Sequence, residues 1–161
     1  MVVQNKTEAI KGIRFFRGLT DEELDEIANL CGETSFAEGE ICQTEGLASN
    51  RVNLILKGRV GTVIRIPNIT SIGSEIILDV LRENDMFGWS SLIKGTPWST
   101  LKTLEPVEVM YINAEDLLDL CERNSRMGYV IMRNLSSLIA SRLRRNRMSM
   151  LNAIVAIKGE W

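Results

Sequence analysis

Residues that could perform catalytic chemistry are few in this 161-residue chain, and histidine is absent from it. Histidine is the usual general base and a frequent metal or haem ligand, so its absence excludes Ser-His and Cys-His catalysis. A lysine or a carboxylate could still act as a base, but no pair of them stands in a recognisable motif. Neither GxxxxGK[ST] nor GxGxxG occurs in the sequence. We therefore predict that the protein is not an enzyme.

The three cysteines, Cys31, Cys42 and Cys121, are odd in number and widely spaced. They form neither a disulfide framework nor a CxxC metal or redox pair. An iron–sulfur cluster needs about four grouped cysteines, and the first thirty residues contain none. Haem ligation through one cysteine stays open, but all three lie in apolar patterns, which favours buried, reduced thiols. We predict no metal site and no cofactor.

Four arginines lie within six residues late in the chain, at Arg142, Arg144, Arg145 and Arg147. Such a run can bind nucleic acid. The net charge of the chain is −2, however, and charge runs on helices are mostly solvated faces. We predict that this chain contacts no nucleic acid directly.

The composition is that of a folded, water-soluble domain, with 45% hydrophobic and 25% charged residues. A chain of this length needs one hydrophobic core. No stretch approaches the roughly 18 to 20 apolar residues that a membrane-spanning helix requires, and residues 1–6 lack the features of a secretory signal. We predict a cytoplasmic protein without a membrane partner.

Two capping patterns predict short helices at either side of a strand-rich region. Thr20 to Glu23 has the form of a capping box, and the residues that follow put Leu24, Ile27, Ala28 and Cys31 on one face, with Gly32 at the end. Asn113 is a second cap. We therefore expect N-terminal helices in residues 1–33.

Residues 34–112 consist of short apolar or alternating runs broken by glycine, which is typical of strands and turns. The strongest runs are 52–56, 59–66, 75–81 and 107–112, and the stretch 67–73 between two of them predicts a longer hairpin loop. An antiparallel sandwich or roll is the fold that fits best.

Helical signals continue after the strands, over residues 113–150, with a tail at 151–161. From about residue 124 no proline occurs, and a helix to Met150 would be roughly 40 Å long, which favours packing against a second copy. Two apolar stripes run along it. One stripe predicts the dimer face and contains Met127, Ile131, Leu135 and Leu138, followed by Arg142. The adjoining stripe contains Met132, Ile139 and Leu143.

Five motifs in order resemble the cyclic nucleotide-binding fold of the catabolite activator and anaerobic-regulator transcription factors. They are Glu38-Gly39-Glu40-Ile41, Glu45-Gly46, Leu54 to Val60, Glu75 to Leu78, and Asp85-Met86-Phe87-Gly88. The resemblance covers roughly residues 13 to 150.

This resemblance implies an α+β, mainly β fold in a single domain over residues 1–161. Its centre is an eight-stranded antiparallel β-roll of the jelly-roll or double-stranded β-helix kind. Short N-terminal helices and a long C-terminal dimerisation helix flank the roll. Family transcription factors continue into a winged helix-turn-helix, for which residues 152–161 are too few. We expect either a separate sensor module or the sensor half of a transcription regulator.

The resemblance also implies a phosphate-binding cassette at residues 87–100, and two of its charges are missing. In the family, a glutamate after the Phe-Gly pair holds the ribose hydroxyl, and an arginine about nine residues later pairs with the phosphate. Here Trp89 and Pro97 occupy those positions, and proline has no N–H to donate. A charged hydrogen bond contributes roughly 1.5 to 3 kcal/mol. We therefore predict no cyclic nucleotide binding in the usual mode and an effector of another kind, or none.

The candidate ligand pocket combines the cassette with two residues of the long helix. Trp89 and Trp98 either wall an aromatic pocket or fill it, and filling is the reading favoured by the frequency of aromatic residues in cores. By the resemblance, Asn146 and Arg147 would reach a pocket from the partner subunit. The full candidate set is Phe87, Gly88, Trp89, Ser90, Ser91, Pro97, Trp98, Ser99, Thr100, Asn146 and Arg147.

Two functions follow as alternatives. The first is a regulatory module in which a small effector in the roll shifts a two-state dimer. The second is a roll that has lost its ligand and acts as a dimerisation or protein-interaction scaffold. An empty or a filled cavity distinguishes them.

Overall fold

The computed structural model describes residues 5–65 and 75–158, with side chains for 5–64 and 75–152. Four α-helices occur in this part of the chain: α1 (Lys6–Lys11), α2 (Asp21–Leu30), α3 (Ala114–Arg123) and α4 (Ser125–Lys158). Two 3₁₀ helices cover Arg14–Phe16 and Trp89–Ile93. The predicted loop at 67–73 lies outside the described residues.

Eight antiparallel strands form two four-stranded sheets, in the orders β1-β8-β3-β6 and β2-β7-β4-β5. This confirms the predicted α+β roll. The strands are β1 (Gly32–Phe36), β2 (Ile41–Gln43), β3 (Arg51–Lys57), β4 (Val60–Arg65), β5 (Glu75–Leu81), β6 (Met86–Phe87), β7 (Thr100–Thr103) and β8 (Val107–Asn113).

Two buried clusters hold the elements together, and the alternation of side chains along β3 and β8 contributes to both. Ile55 and Val109 belong to a cluster between the sheets, together with Phe87. Leu54 and Met110 point the other way, into a larger cluster shared with the helices. The helices are thereby fixed against the sheet that contains β6, which leads directly into the cassette.

Helix α2 begins with the predicted capping box: Glu23 N–H donates to the Thr20 hydroxyl, and the Glu23 carboxylate accepts from Thr20 N–H. The predicted end at Gly32 is wrong. The helix ends at Leu30, and Gly32 is the first residue of β1, opposite Tyr111. A Cβ at position 32 would lie 2.3 Å from the Tyr111 ring, so this glycine serves close packing and not a helix end.

Helix α4 is longer than predicted, since it continues to Lys158 and not to Met150. The predicted tail at 151–161 is therefore wrong as far as residue 158. The sequence explains the length, because no glycine or proline occurs between Gly128 and Gly159. At about 1.5 Å per residue, 34 residues extend roughly 50 Å.

The predicted dimer face of α4 faces the chain's own core. Met127, Ile131 and Leu135 are 0%, 0% and 3% exposed and belong to the larger buried cluster. Leu138 is half-buried against the same cluster. Met127, Ile131 and Leu135 cannot meet a partner, because α4 packs there against α3, the 3₁₀ helix Arg14–Phe16 and the larger cluster. The correction concerns the face, and the dimer itself stays a prediction.

No helix in the described ranges is both long and apolar enough to cross a membrane.

Candidate functional site

The site is a cavity of 690 Å³ enclosed by three parts of the chain: the roll strands, the cassette and α4. This volume lies in the range of roughly 300 to 1,000 Å³ typical of small-molecule sites. The roll contributes Gln43 at the end of β2, Glu45 just after it, and the strand residues Thr62, Ile64, Leu78, Asp79, Leu81 and Leu101. The cassette contributes Gly88, Trp89, Ser90, Pro97, Trp98 and Ser99, and α4 contributes Ile139, Arg142, Leu143 and Asn146.

The cassette begins with a turn that requires glycine. Gly88 has φ 79°, in the left-handed region, and a Cβ there would lie 2.3 Å from the Arg51 carbonyl oxygen. The 3₁₀ helix that starts at Trp89 follows at once, and the Ser91 hydroxyl donates to the Gly88 carbonyl at 2.6 Å. The turn therefore aims Trp89 and Ser90 at the cavity.

The far end of the cassette is fastened to the residues around β2. Gly46 N–H donates to the Pro97 carbonyl at 2.9 Å, and the Gln43 amide donates to the Ser99 carbonyl at 3.0 Å. Glu45 N–H donates to the Thr100 hydroxyl at 3.2 Å. The near end is joined to β3, since the Ser91 hydroxyl also lies 3.4 Å from the Arg51 carbonyl. Hydrogen bonds thus hold both ends of the cassette, which gives the cavity a defined rim.

The two tryptophans line the cavity without filling it. Their rings meet edge to face, with centroids 5.6 Å apart and an interplanar angle of 79°, and Trp98 is 75% exposed. The prediction that they fill the cavity is therefore wrong. The physical reason is that Trp98 packs against the edge of Trp89 and points outward, where it forms an apolar wall at the opening.

Among the residues that the structure describes, Arg142 is the single cation that lines the cavity. Its guanidinium donates to the Met86 carbonyl. Burial lowers the pKa of Arg142 to about 10, with partial compensation from Asp85 and Asp79, so the group is charged at neutral pH. None of the described carboxylates lies within ion-pair distance of it.

Two further polar contacts fasten the same stretch of α4 to β5. Arg145 donates through Nε and Nη2 to Asp79 Oδ2 at 3.1 and 3.0 Å, and the Ser149 hydroxyl donates to the Leu78 carbonyl at 3.3 Å. We call these contacts, with Arg142 to Met86, the polar seam. The predicted solvated face is right for the exposed Arg144 and Arg147 and wrong for the two seam arginines.

The structure brings seven of the eleven predicted pocket residues to the cavity. They are Gly88, Trp89, Ser90, Pro97, Trp98, Ser99 and Asn146. Asn146 comes from the same chain, whereas the sequence suggested a contribution from the partner subunit. Whether any of them binds a ligand stays a prediction.

The other four do not line the cavity. Phe87 lies in the core between the sheets, because strand alternation turns it away from its neighbour Gly88. Ser91 and Thr100 bind backbone groups, and Arg147 is exposed on another side of α4.

Sequence reasoning missed the role of α4 as a wall of the cavity. Arg142 was assigned to the dimer face, and Ile139 and Leu143 were seen only as a second stripe. Their spacing with Asn146 was the available signal, since Ile139 and Leu143 precede it by seven and three residues and so share one face of the helix with it.

The thiols show no sign of activation. Burial raises the pKa of Cys31 and Cys42 to about 12 and that of Cys121 to about 11, so all three are protonated at neutral pH. Cys42 is half-buried and not fully buried as predicted. Across the described ranges, no three His, Cys, Asp or Glu residues gather as a group that could hold a metal ion.

Comparison with known proteins places these observations in a family. Residues 33–124 match the sequence model described as "Cyclic nucleotide-binding domain". The chain is also 28% identical over 120 residues to a cGMP-dependent protein kinase of Plasmodium berghei (strain Anka). That match covers 73% of this chain and 13% of the kinase, so the chain corresponds to a small part of that protein.

Solved structures show the same fold. A protein from Geobacter metallireducens GS-15, described as cyclic nucleotide-binding, aligns with a TM-score of 0.71 and 30% identity over 87% of this chain and 99% of its own. The N-terminal domain of a transcriptional regulator from Streptomyces coelicolor A3(2) aligns with a TM-score of 0.68 and 23% identity, over 88% and 94%. The second likeness concerns the fold alone.

Proposed function

This chain belongs to the cyclic nucleotide-binding domain family, and on that basis we propose that it is a regulatory module that senses a small effector and performs no catalysis. The observation that carries the proposal is the 690 Å³ cavity that the roll, the cassette and α4 enclose together. A ligand in that cavity would contact the rim and the helix at once, which is the arrangement that a sensor needs.

We propose further that cyclic nucleotides are not bound in the family's usual mode. By the resemblance of the cassette, Trp89 and Pro97 stand where the family has its ribose-binding glutamate and phosphate-binding arginine. Pro97 is buried at the cavity, has no N–H, and offers only its carbonyl, which Gly46 already binds. The cassette therefore offers a phosphate no cation at that place, so the charge pair of the family's usual mode cannot form there.

Signalling would pass through the polar seam. The ligand would lie against Arg142, which also donates to Met86 just before the cassette. A shift of the cassette would thus act directly on α4 through this hydrogen bond, without other residues in between. The output would be a change in how the second part of α4 lies on β5.

The proposed homodimer would use the second stripe of α4. Leu143 and Met150 are 70% and 62% exposed. With Met132, Ile139 and Asn146 they follow the a and d positions of a heptad. Because Ile139, Leu143 and Asn146 also line the cavity, a partner helix on this stripe would lie beside the cavity opening.

The test is calorimetric titration of the purified chain with cyclic AMP and cyclic GMP at millimolar concentration, together with a thermal-shift screen of a metabolite panel. We expect no heat from the two nucleotides and stabilisation by some other compound. Trp98→Ala should abolish that stabilisation. The matched control is Ile93→Ala, which removes an exposed cassette side chain that does not line the cavity.

Two outcomes would change the proposal. Micromolar binding of cyclic AMP or cyclic GMP would show that other donors replace the missing arginine. Failure of every compound, with the cavity intact, would favour the scaffold function instead.

A further inference from the structure

Three charged residues of the described ranges line the cavity, and two of them are not available to a ligand in the interior. Asp79 is already paired with Arg145 at 3.0 Å. Glu45 is exposed at the rim. The charge that the cavity offers to an enclosed molecule is therefore the positive charge of Arg142.

The guanidinium of Arg142 has donors to spare. It carries five N–H groups in a planar fork, and the bond through Nη2 to the Met86 carbonyl is the one hydrogen bond that it makes with the described residues. No buried side-chain nitrogen or oxygen in the described part of the chain lacks a partner, so the remaining Arg142 nitrogens reach open space. Arg142 lines two such spaces, the cavity described above and a neighbouring cavity of 320 Å³ that Asp85 and Met86 also line. The first of them carries the aromatic wall.

The rest of the wall is suited to a flat apolar body. Trp89 and Trp98 present indole surface, and Leu101 and Ile139 add aliphatic surface. Aromatic rings stack well on indoles, and a planar acid offers two oxygens to a guanidinium fork.

From this juxtaposition, and resting on the proposed effector-sensing function, we infer that the effector is a flat aromatic carboxylate, with its ring against Trp89 and Trp98 and its carboxylate on Arg142. The cation that the family takes from its cassette would here come from α4. The bound carboxylate would then contact Arg142, the same helix residue that donates to the Met86 carbonyl.

The probes are 1-naphthoate and its neutral amide, 1-naphthamide, which share one ring system and differ in charge. Calorimetry with the wild-type chain should show the amide binding at least about tenfold more weakly, as expected for loss of one charged hydrogen bond. This ratio requires no variant, so it stays informative if a substitution disturbs folding.

Arg142→Gln should remove the preference for the acid while leaving amide binding within about threefold of wild type. The expected loss is again about one charged hydrogen bond. Arg142→Lys keeps the positive charge and should retain part of the preference. Arg144→Gln is the matched control, because Arg144 is exposed on the same helix and should leave the ratio unchanged.

Equal binding of acid and amide would overturn this inference and would leave the proposed sensing function standing. Absence of binding by both probes would overturn the inference as well, and the sensing function would then be decided by the metabolite screen. If no compound of the screen and neither probe binds, both the aromatic carboxylate inference and the proposed sensing function are overturned.

Discussion

The two halves of α4 are fixed to the rest of the chain by different physics. In the core half, residues 125–138, Met127, Ile131 and Leu135 are at most 3% exposed. In the seam half, residues 139–152, Arg142, Arg145 and Ser149 make four hydrogen bonds to the roll, and of the apolar side chains Ile139 is half-buried against the core. One continuous helix therefore has an apolar part and a polar part.

This difference teaches which part of the helix can respond to a ligand. Fully burying one large apolar side chain contributes about 1.5 to 3 kcal/mol, so the core half should open only when the domain unfolds. An ion pair as exposed as Asp79–Arg145, with side chains 14% and 42% exposed, contributes about 1 kcal/mol or less. The seam half can detach at low cost, and it is the half that lines the cavity.

The largest expected effect is loss of stability from the core half. Ile131→Ala should lower the free energy of unfolding by about 2 to 5 kcal/mol, because it removes a fully buried side chain and leaves a cavity. Leu143→Ala, on the 70% exposed Leu143 of the seam half, should stay within about 0.5 kcal/mol of wild type. Urea denaturation measures both, and equal losses would remove the distinction between the halves.

A smaller, pH-dependent effect is expected where α2 meets the start of α4. Burial favours the neutral form of Glu23, but hydrogen bonds from Arg126, Thr20 and Asn124 outweigh it and hold its pKa below the ordinary 4.5. A carboxyl group whose pKa is lower in the folded than in the unfolded chain stabilises the fold at pH values above its unfolded pKa. Glu23→Gln should therefore lower the free energy of unfolding by about 1 kcal/mol at pH 7. The difference from wild type should shrink as the pH falls through the folded pKa, below 4.5.

Denaturation of the wild type and Glu23→Gln over a series of pH values provides the check. A gap that stays constant down to strongly acidic pH would show that packing and not the charge explains it. Glu22→Gln is the control, because Glu22 is exposed one residue away.

Breaking the polar seam should change the free energy of unfolding of the domain little, but it should make detachment of the seam half from the roll more frequent. Asp79→Asn removes the charge that Arg145 binds and should lower the free energy of unfolding by about 1 kcal/mol or less. Limited proteolysis should nevertheless cut the seam half faster, with no change in the core half. The control is Asp116→Asn, at an exposed position on α3, which should change neither the free energy of unfolding nor the rate of cleavage. Faster cleavage of the core half in Asp79→Asn would show that the seam does not act on the seam half alone.

The smallest effect on stability, with a visible effect on assembly, is expected from the second stripe. Leu143→Glu should convert the proposed dimer to a monomer in sedimentation. At concentrations where both chains are monomeric, its unfolding free energy should stay within about 0.5 kcal/mol of wild type. Arg144→Glu is the neighbouring control. A monomeric wild type, or a dimer that survives Leu143→Glu, would show that this stripe is not the interface.

The sequence predicted the fold well because the fold follows from local signals. Gly88 after Phe87, the Thr20 cap and the alternating strands each report on their own neighbourhood, and their order along the chain matches a single family. The face of α4 could not be chosen this way. Two apolar stripes lie side by side on it, and which one meets the core depends on contacts with distant elements such as the 3₁₀ helix Arg14–Phe16, where Asn134 donates to the Phe15 carbonyl across 119 residues of sequence.

The candidate site was predicted where it belongs to one segment and missed where segments meet. Trp89, Pro97 and Trp98 lie within the cassette, so a motif identifies them. Arg142 and Asp79 reach the cavity only because α4 lies on β5, and their spacing of more than sixty residues carries no local signal. Trp98 was expected inside and is 75% exposed, with its ring edge to face with that of Trp89; a motif identifies the residue but not the direction of its side chain.

Hydrogen exchange along α4, followed by mass spectrometry in the wild type and in Asp79→Asn, tests the two-part helix most directly. We expect the amides of residues 127–138 to open with a free energy near that of global unfolding, and the amides of residues 142–152 to open with a clearly lower one. Only the second range should exchange faster in Asp79→Asn. A gradual decline toward the end of the helix that Asp79→Asn leaves unchanged would mean ordinary fraying. The seam would then have no role in releasing the wall of the cavity.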